Sequence, residues 1–130
     1  MALLVFPGGA SASSSQFSVT SGPAYRHCAT AGFHGELRFW YVYNGEYVRY
    51  VGRIEYRINK GTESGGNEAN IWWGDHAGPG IQTDAAIQDN QWHTFGGDYY
   101  RSSRAEVDLT FQFDRSWPIP DPYCTVSWFM

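Results

Sequence analysis

Little in this chain serves catalysis, metal binding or nucleic-acid binding. Its 130 residues hold only 2 Cys and 4 His, and 9 Lys and Arg face 13 Asp and Glu, for a formal charge of −4. Two cysteines cannot complete a structural zinc site alone, and no C-x-x-C or H-E-x-x-H spacing occurs. The shortage of positive charge argues against a nucleic-acid partner. No apolar run approaches the ~18 residues of a membrane span. There is no G-x-S-x-G nucleophile turn. Gly65-Gly66 and Gly78-Pro79-Gly80 lead into no helical segment, so neither reads as a phosphate-binding loop and no cofactor is implied. Internal repeats, charge blocks and sustained helical periodicity are also missing.

Aromatic residues are abundant instead: 6 Trp, 9 Tyr and 8 Phe, 18% of the chain, alongside 15 Gly and 6 Pro. The apolar positions alternate. Val107, Leu109, Phe111 and Phe113 interleave with Glu106, Asp108, Thr110 and Gln112, the period-2 pattern of a half-buried strand. Asn44-Gly45 accepts the positive φ angles of a type I′ turn. A two-residue loop there sets Leu37, Phe39, Tyr41 and Tyr43 opposite Gly52, Tyr50, Val48 and Glu46. That register pairs Glu36 with Arg53 and Trp40 with Arg49, and puts Val51 on the polar face. Gly52 reads as a bend or a point of close approach. Residues 69–73, 91–95 and 123–130 are further strand segments, whereas 81–90 is ambiguous, with 83–87 long enough for one helical turn. Trp117-Pro118-Ile119-Pro120-Asp121-Pro122 forces an extended connection. Together these predict an all-β fold: a two-sheet antiparallel sandwich of about seven strands, Ig-like or jelly-roll, with a small β-barrel as the alternative.

Residues 1–23 read as a leader or signal-peptide remnant, either flexible or an edge strand, and residues 24–130 as one sandwich domain. Ala10-Ser11-Ala12 has the small-x-small form that signal peptidase accepts, although a basic n-region is lacking. Cys28 and Cys124 lie in strand-like segments near opposite ends of that domain. A disulfide between them agrees with export, and two free buried thiols are the alternative. The A-x-A leader, Cys28 in the first strand, the Asn44-Gly45 hairpin and Cys124 in the last strand resemble small secreted β-sandwich proteins of filamentous soil bacteria. The resemblance covers residues 24–130 and implies a secreted sandwich; the functions of that group are mostly unassigned, so no site residue follows from it.

Chemistry on such a scaffold has three candidates. Glu106 and Asp108 share a strand face about 7 Å apart, within the range of paired glycosidase carboxylates. Asp75, Asp84 and Asp89 are oxygen donors without the spaced pattern of a Ca²⁺ loop. The aromatic surplus is the third. Phe39, Tyr41, Tyr50, Tyr56, Phe111, Phe113 and Trp128 are expected in the core, and Trp40 on the outer face. In Ile71-Trp72-Trp73 alternation sends one tryptophan outward. Exposed rings beside Asn, Gln and Asp suit sugar recognition, the ring stacking on a pyranose while polar groups take its hydroxyls. The expected ligand-binding residues are Trp72, Trp73, Trp92, Tyr99 and Tyr100, in a secreted non-enzymatic module for a glycan or protein ligand. The alternatives are a self-assembling structural subunit, a homo-oligomer joined through sheet edges or the N-terminal strand, and a small secreted hydrolase or toxin.

Overall fold

The computed structural model describes residues 18–19, 23–44, 48–75, 80–97, 99–101 and 105–129. In chain order the strands are β1 (Ser18–Val19), β2 (Ala24–Thr30), β3 (Phe33–Asn44), β4 (Val48–Asn59), β5 (Ala69–Gly74), β6 (Ile81–Ala86), β7 (His93–Gly96), β8 (Tyr99–Arg101), β9 (Glu106–Gln112) and β10 (Tyr123–Phe129). They form two antiparallel sheets. In the six-stranded sheet β3 and β4 are central, with β1 and β2 end to end along β3 and β7 and β8 end to end along β4. The second sheet has the order β10-β9-β5-β6. The sheets stack as a sandwich, and among the described residues no strand pairing joins them into a barrel. The segment at 83–87 supplies most of β6, so strand and not helix is formed there. Ser18 and Val19, inside the expected leader, pair with Tyr43 and Val42; the Ala10-Ser11-Ala12 site lies outside the described residues.

The central hairpin departs from its expected register. Asn44 pairs with Val48, so three residues and not two separate the strands, and the turn itself lies outside the described residues. A two-residue turn with positive φ at both positions does occur, one strand earlier. Thr30 pairs with Phe33 around Ala31 (φ 51°) and Gly32 (φ 86°). A bulge then skips Gly52, since Tyr41 pairs with Val51 while Trp40 pairs with Arg53. One extra residue reverses the faces of everything beyond it. Val51, expected on the polar side, is therefore fully buried. Glu36 faces Arg57 instead of Arg53, and Trp40 faces Arg53 instead of Arg49.

Inward residues of both sheets make one core. Leu37, Phe39, Ile54, Tyr56 and Ile58 meet Ile71, Trp73, Val107, Leu109, Phe111 and Phe113. Trp73 packs edge-on against Phe39 (5.0 Å between centroids) and Trp128 (5.2 Å). Tyr41 and Trp128 are partly buried against this core, as the alternation requires, and the side chain of Tyr50 lies outside the described residues. The Cys28–Cys124 disulfide joins β2 to β10, clasping one edge of each sheet across a sequence separation of 96.

Gly52 is both the bend and the close approach expected of it, since the bulge skips it and a Cβ at Gly97 would stand 2.5 Å from its carbonyl oxygen. A second close approach lies at Gly35. Gly35 is buried in β3, and a Cβ there would stand 2.7–2.8 Å from the Phe111 ring. Gly35→Ala is expected to destabilise the fold by about 1–3 kcal/mol through overpacking, despite the better strand propensity of alanine. A lower urea midpoint checks this; an unchanged or raised midpoint counts against the packing described.

Candidate ligand-binding face

A sandwich has two outer faces, and here they differ in chemistry. On the six-stranded sheet, alternation turns Glu36, Arg38 and Trp40 of β3 and Arg53, Glu55 and Arg57 of β4 outward. Arg57 binds Glu36 (2.6 Å). Arg38 and Arg53 each take one oxygen of Glu55, both at 2.6 Å. The guanidiniums also lie against indoles. Arg53 is 4.4 Å from the Trp40 ring centroid, and Arg38 and Arg57 are 4.0 and 4.7 Å from that of Trp92. Tyr25 approaches Trp92 from β2 at 6.4 Å. The result is an interlocked ladder of cations, carboxylates and rings, each cation–π contact worth about 0.5–2 kcal/mol depending on exposure.

Glu55 is the buried centre of this ladder. Burial by itself raises its carboxyl pKa, but the hydrogen bonds from Arg53 and Arg38 outweigh that and hold it below the ordinary value of 4.5. A depressed carboxylate stabilises the fold fully above the unfolded-state value and loses that contribution as pH falls through the folded one. The stability advantage of the wild type over Glu55→Gln, measured by urea unfolding, is therefore expected to be largest near neutrality and to shrink below about pH 4.5. An advantage independent of pH contradicts this.

The outer face of the four-stranded sheet carries no such ladder among the described residues. Its pairing sets side chains in rows: Tyr123, Gln112 and Asn70; then Thr125, Thr110, Trp72 and Gln82; then Ser127, Asp108 and Gly74; then Phe129 and Glu106. Tyr123 is 69% exposed and Phe129 63%. The polar groups are pre-set by cross-strand contacts. Asn70 Nδ2 donates to Gln112 Oε1 (3.2 Å), the Thr110 and Thr125 hydroxyls meet at 2.8 Å, and Ser127 Oγ donates to Asp108 Oδ1 (2.5 Å). Trp72 is half-buried because its ring lies across Gly74, where a Cβ would come within 2.9 Å of the benzo edge. Glycine thus lets the indole recline along the sheet.

The β9–β10 connection leaves this sheet at the row of Tyr123. Its base is closed by the Phe113 N–H donating to the Pro122 carbonyl (2.8 Å) and the Arg115 N–H donating to Asp121 Oδ1 (2.9 Å). Gln88, buried below it, donates through Nε2 to the carbonyls of Gly66 (2.9 Å) and Asp114 (2.8 Å) and accepts from the Asp114 N–H (2.9 Å). Arg115 is tied to Glu63 (2.9 Å) and to the Ala31 carbonyl (3.0 Å). On this braced base Trp117 is 90% exposed and Ile119 51%. Residues 114–121 surround an open hollow of about 480 Å³.

The expected site residues are not brought together. Trp73 is fully buried and belongs to the core, because Ile71 and Trp73 share the inward face and Trp72 takes the outward one. Trp92 stands on the opposite outer face from Trp72, and the Arg38 and Arg57 guanidiniums already lie against its ring. The backbones of Tyr99 and Tyr100 form β8, and their side chains lie outside the described residues. Tyr123, Phe129 and Trp117 were missed. The first two were legible, since inward Cys124, Val126 and Trp128 turn residues 123, 125, 127 and 129 outward. Glu106 and Asp108 share the outer face of β9 as expected. Among the described residues no three His, Cys, Asp or Glu gather in a metal-binding arrangement, and Asp89 is held by His93 (2.8 Å) and the Gln91 N–H (3.0 Å). No helix among the described residues is long and apolar enough to cross a membrane.

No protein-family model, no curated protein and no solved structure matches the chain. A small all-β sandwich with exposed Trp117, Tyr123 and Phe129 has the general character of a binding-type module.

Proposed function

We propose that this protein is a secreted, non-enzymatic module that binds a carbohydrate chain along the outer face of the four-stranded sheet. The observation that carries the reading is the Trp72 ring reclined on Gly74 in a row with Thr110, Thr125 and Gln82, between the exposed rings of Tyr123 and Phe129. Tyr123 and Phe129 are six residues apart on one strand, about 20 Å, which suits an extended ligand better than a single small molecule. Each ring is surrounded by hydroxyls, amides or carboxylates, whereas a stable protein–protein contact centres on a contiguous apolar patch depleted of charge. Sugars need this mixture of apolar platforms and hydrogen-bonding groups. The disulfide favours an oxidising compartment and so supports secretion.

Titration with cello- and chito-oligosaccharides, followed by calorimetry, tests the reading. Trp72→Ala and Tyr123→Ala are each expected to weaken binding by about tenfold or more, and Trp92→Ala to leave it within about twofold. Equal affinities in the first two variants and the wild type, or loss confined to Trp92→Ala, remove this face as the site.

A further inference from the structure

The two outer faces also differ in charge. No residue of β5, β6, β9 or β10 is Lys, Arg or His, while Asp84, Glu106 and Asp108 are carboxylates exposed or half-exposed on that sheet. The outward guanidiniums of Arg38, Arg53 and Arg57 stand on the opposite face, engaged by Glu36 and Glu55. A glycan with uronate or sulfate groups laid along the four-stranded sheet meets carboxylates and no cation belonging to its strands. A glycan without ionised groups meets hydroxyls, amides and rings that suit it, and it carries no charge for the carboxylates to repel.

Resting on the carbohydrate reading above, we propose that this face is selective for uncharged polysaccharide chains and excludes acidic ones. The selectivity is electrostatic and works by rejection: like charges brought together at a partly desolvated surface raise the free energy of the wrong complex without improving the right one. It follows that the discrimination weakens when salt screens the carboxylates, while the stacking on Trp72 and Tyr123 persists.

The experiment compares calorimetric titrations of the intact, disulfide-bonded protein with cello-oligosaccharides, chito-oligosaccharides, oligogalacturonate and heparin, at low and at physiological salt. The expected result is binding of the uncharged oligomers, with both acidic ones at least about tenfold weaker at low salt and the gap narrowing as salt is added. The double variant Glu106→Gln, Asp108→Asn is expected to narrow the gap without salt; the new amide at the second position keeps an oxygen that accepts from the Ser127 hydroxyl. Acidic oligomers binding as tightly as uncharged ones overturn the selectivity while the carbohydrate reading stands. The same holds for a gap indifferent to both salt and the double variant. Failure of every oligomer to bind overturns the carbohydrate reading itself, and the selectivity with it.

Discussion

Replacing Cys28 and Cys124 with alanine is expected to lower the free energy of unfolding by about 4–5 kcal/mol. The bridge spans 96 residues of sequence, so in the chain-entropy model it removes most of the freedom the unfolded chain would otherwise have. It also acts between strands that share no ladder hydrogen bonds. β2 and β10 lie at the edges of different sheets, with no backbone pairing between them, and meet through partly buried side chains such as Arg26 over the Trp128 ring (4.7 Å). Urea unfolding of the oxidised protein, the same protein under reductant and the double alanine variant should give one large gap, with the latter two nearly coincident. The urea dependence should steepen as well, because an uncrosslinked unfolded chain exposes more surface. A loss below about 1 kcal/mol would mean the bridge restrains little of the unfolded ensemble.

Trp73→Ala is expected to cost about 3–5 kcal/mol, while Trp72→Ala costs about 1 kcal/mol or less. The two residues are neighbours in sequence with identical side chains, so the contrast depends only on which face of β5 each occupies. Trp73 fills the space between Phe39 and Trp128, both within 5.2 Å of it between centroids, and its truncation leaves a cavity walled by two large rings. Trp72 lies outside, on Gly74. The two should separate oppositely by function: Trp72→Ala loses ligand with its stability nearly intact. Similar unfolding midpoints for the two variants would contradict the strand face assignment from which the candidate site is built.

Much of the fold was legible because strand alternation is a local signal. Val107, Leu109, Phe111 and Phe113 turn inward as their spacing requires, and so do Cys124, Val126 and Trp128. Register was not legible. One residue more in the turn after Asn44 and the bulge at Gly52 move every cross-strand partner of β3 from its expected place, and a bulge depends on how the sheet coils over its partner. Gly35 is similar: its need for glycine comes from Phe111, far along the sequence and in the other sheet. The site was harder still. Trp92 beside loop residues gave no sign that Arg38 and Arg57, from a different hairpin, would lie against its ring. The outward turn of Tyr123 and Phe129 was implicit in the last strand, and the expectation of loop-borne aromatics passed over a sheet face.

The central claim is that ligand lies along the outer face of the four-stranded sheet. It is tested most directly by mapping amide and indole NMR shifts of the isotopically labelled protein during titration with a cello-oligosaccharide. Shifts are expected to concentrate at Trp72, including its indole N–H, and at Thr110, Tyr123, Thr125 and Phe129, with Arg38, Glu55 and Trp92 unmoved. Shifts centred on the ladder of Arg38, Arg57 and Trp92, with β5, β9 and β10 silent, would contradict it.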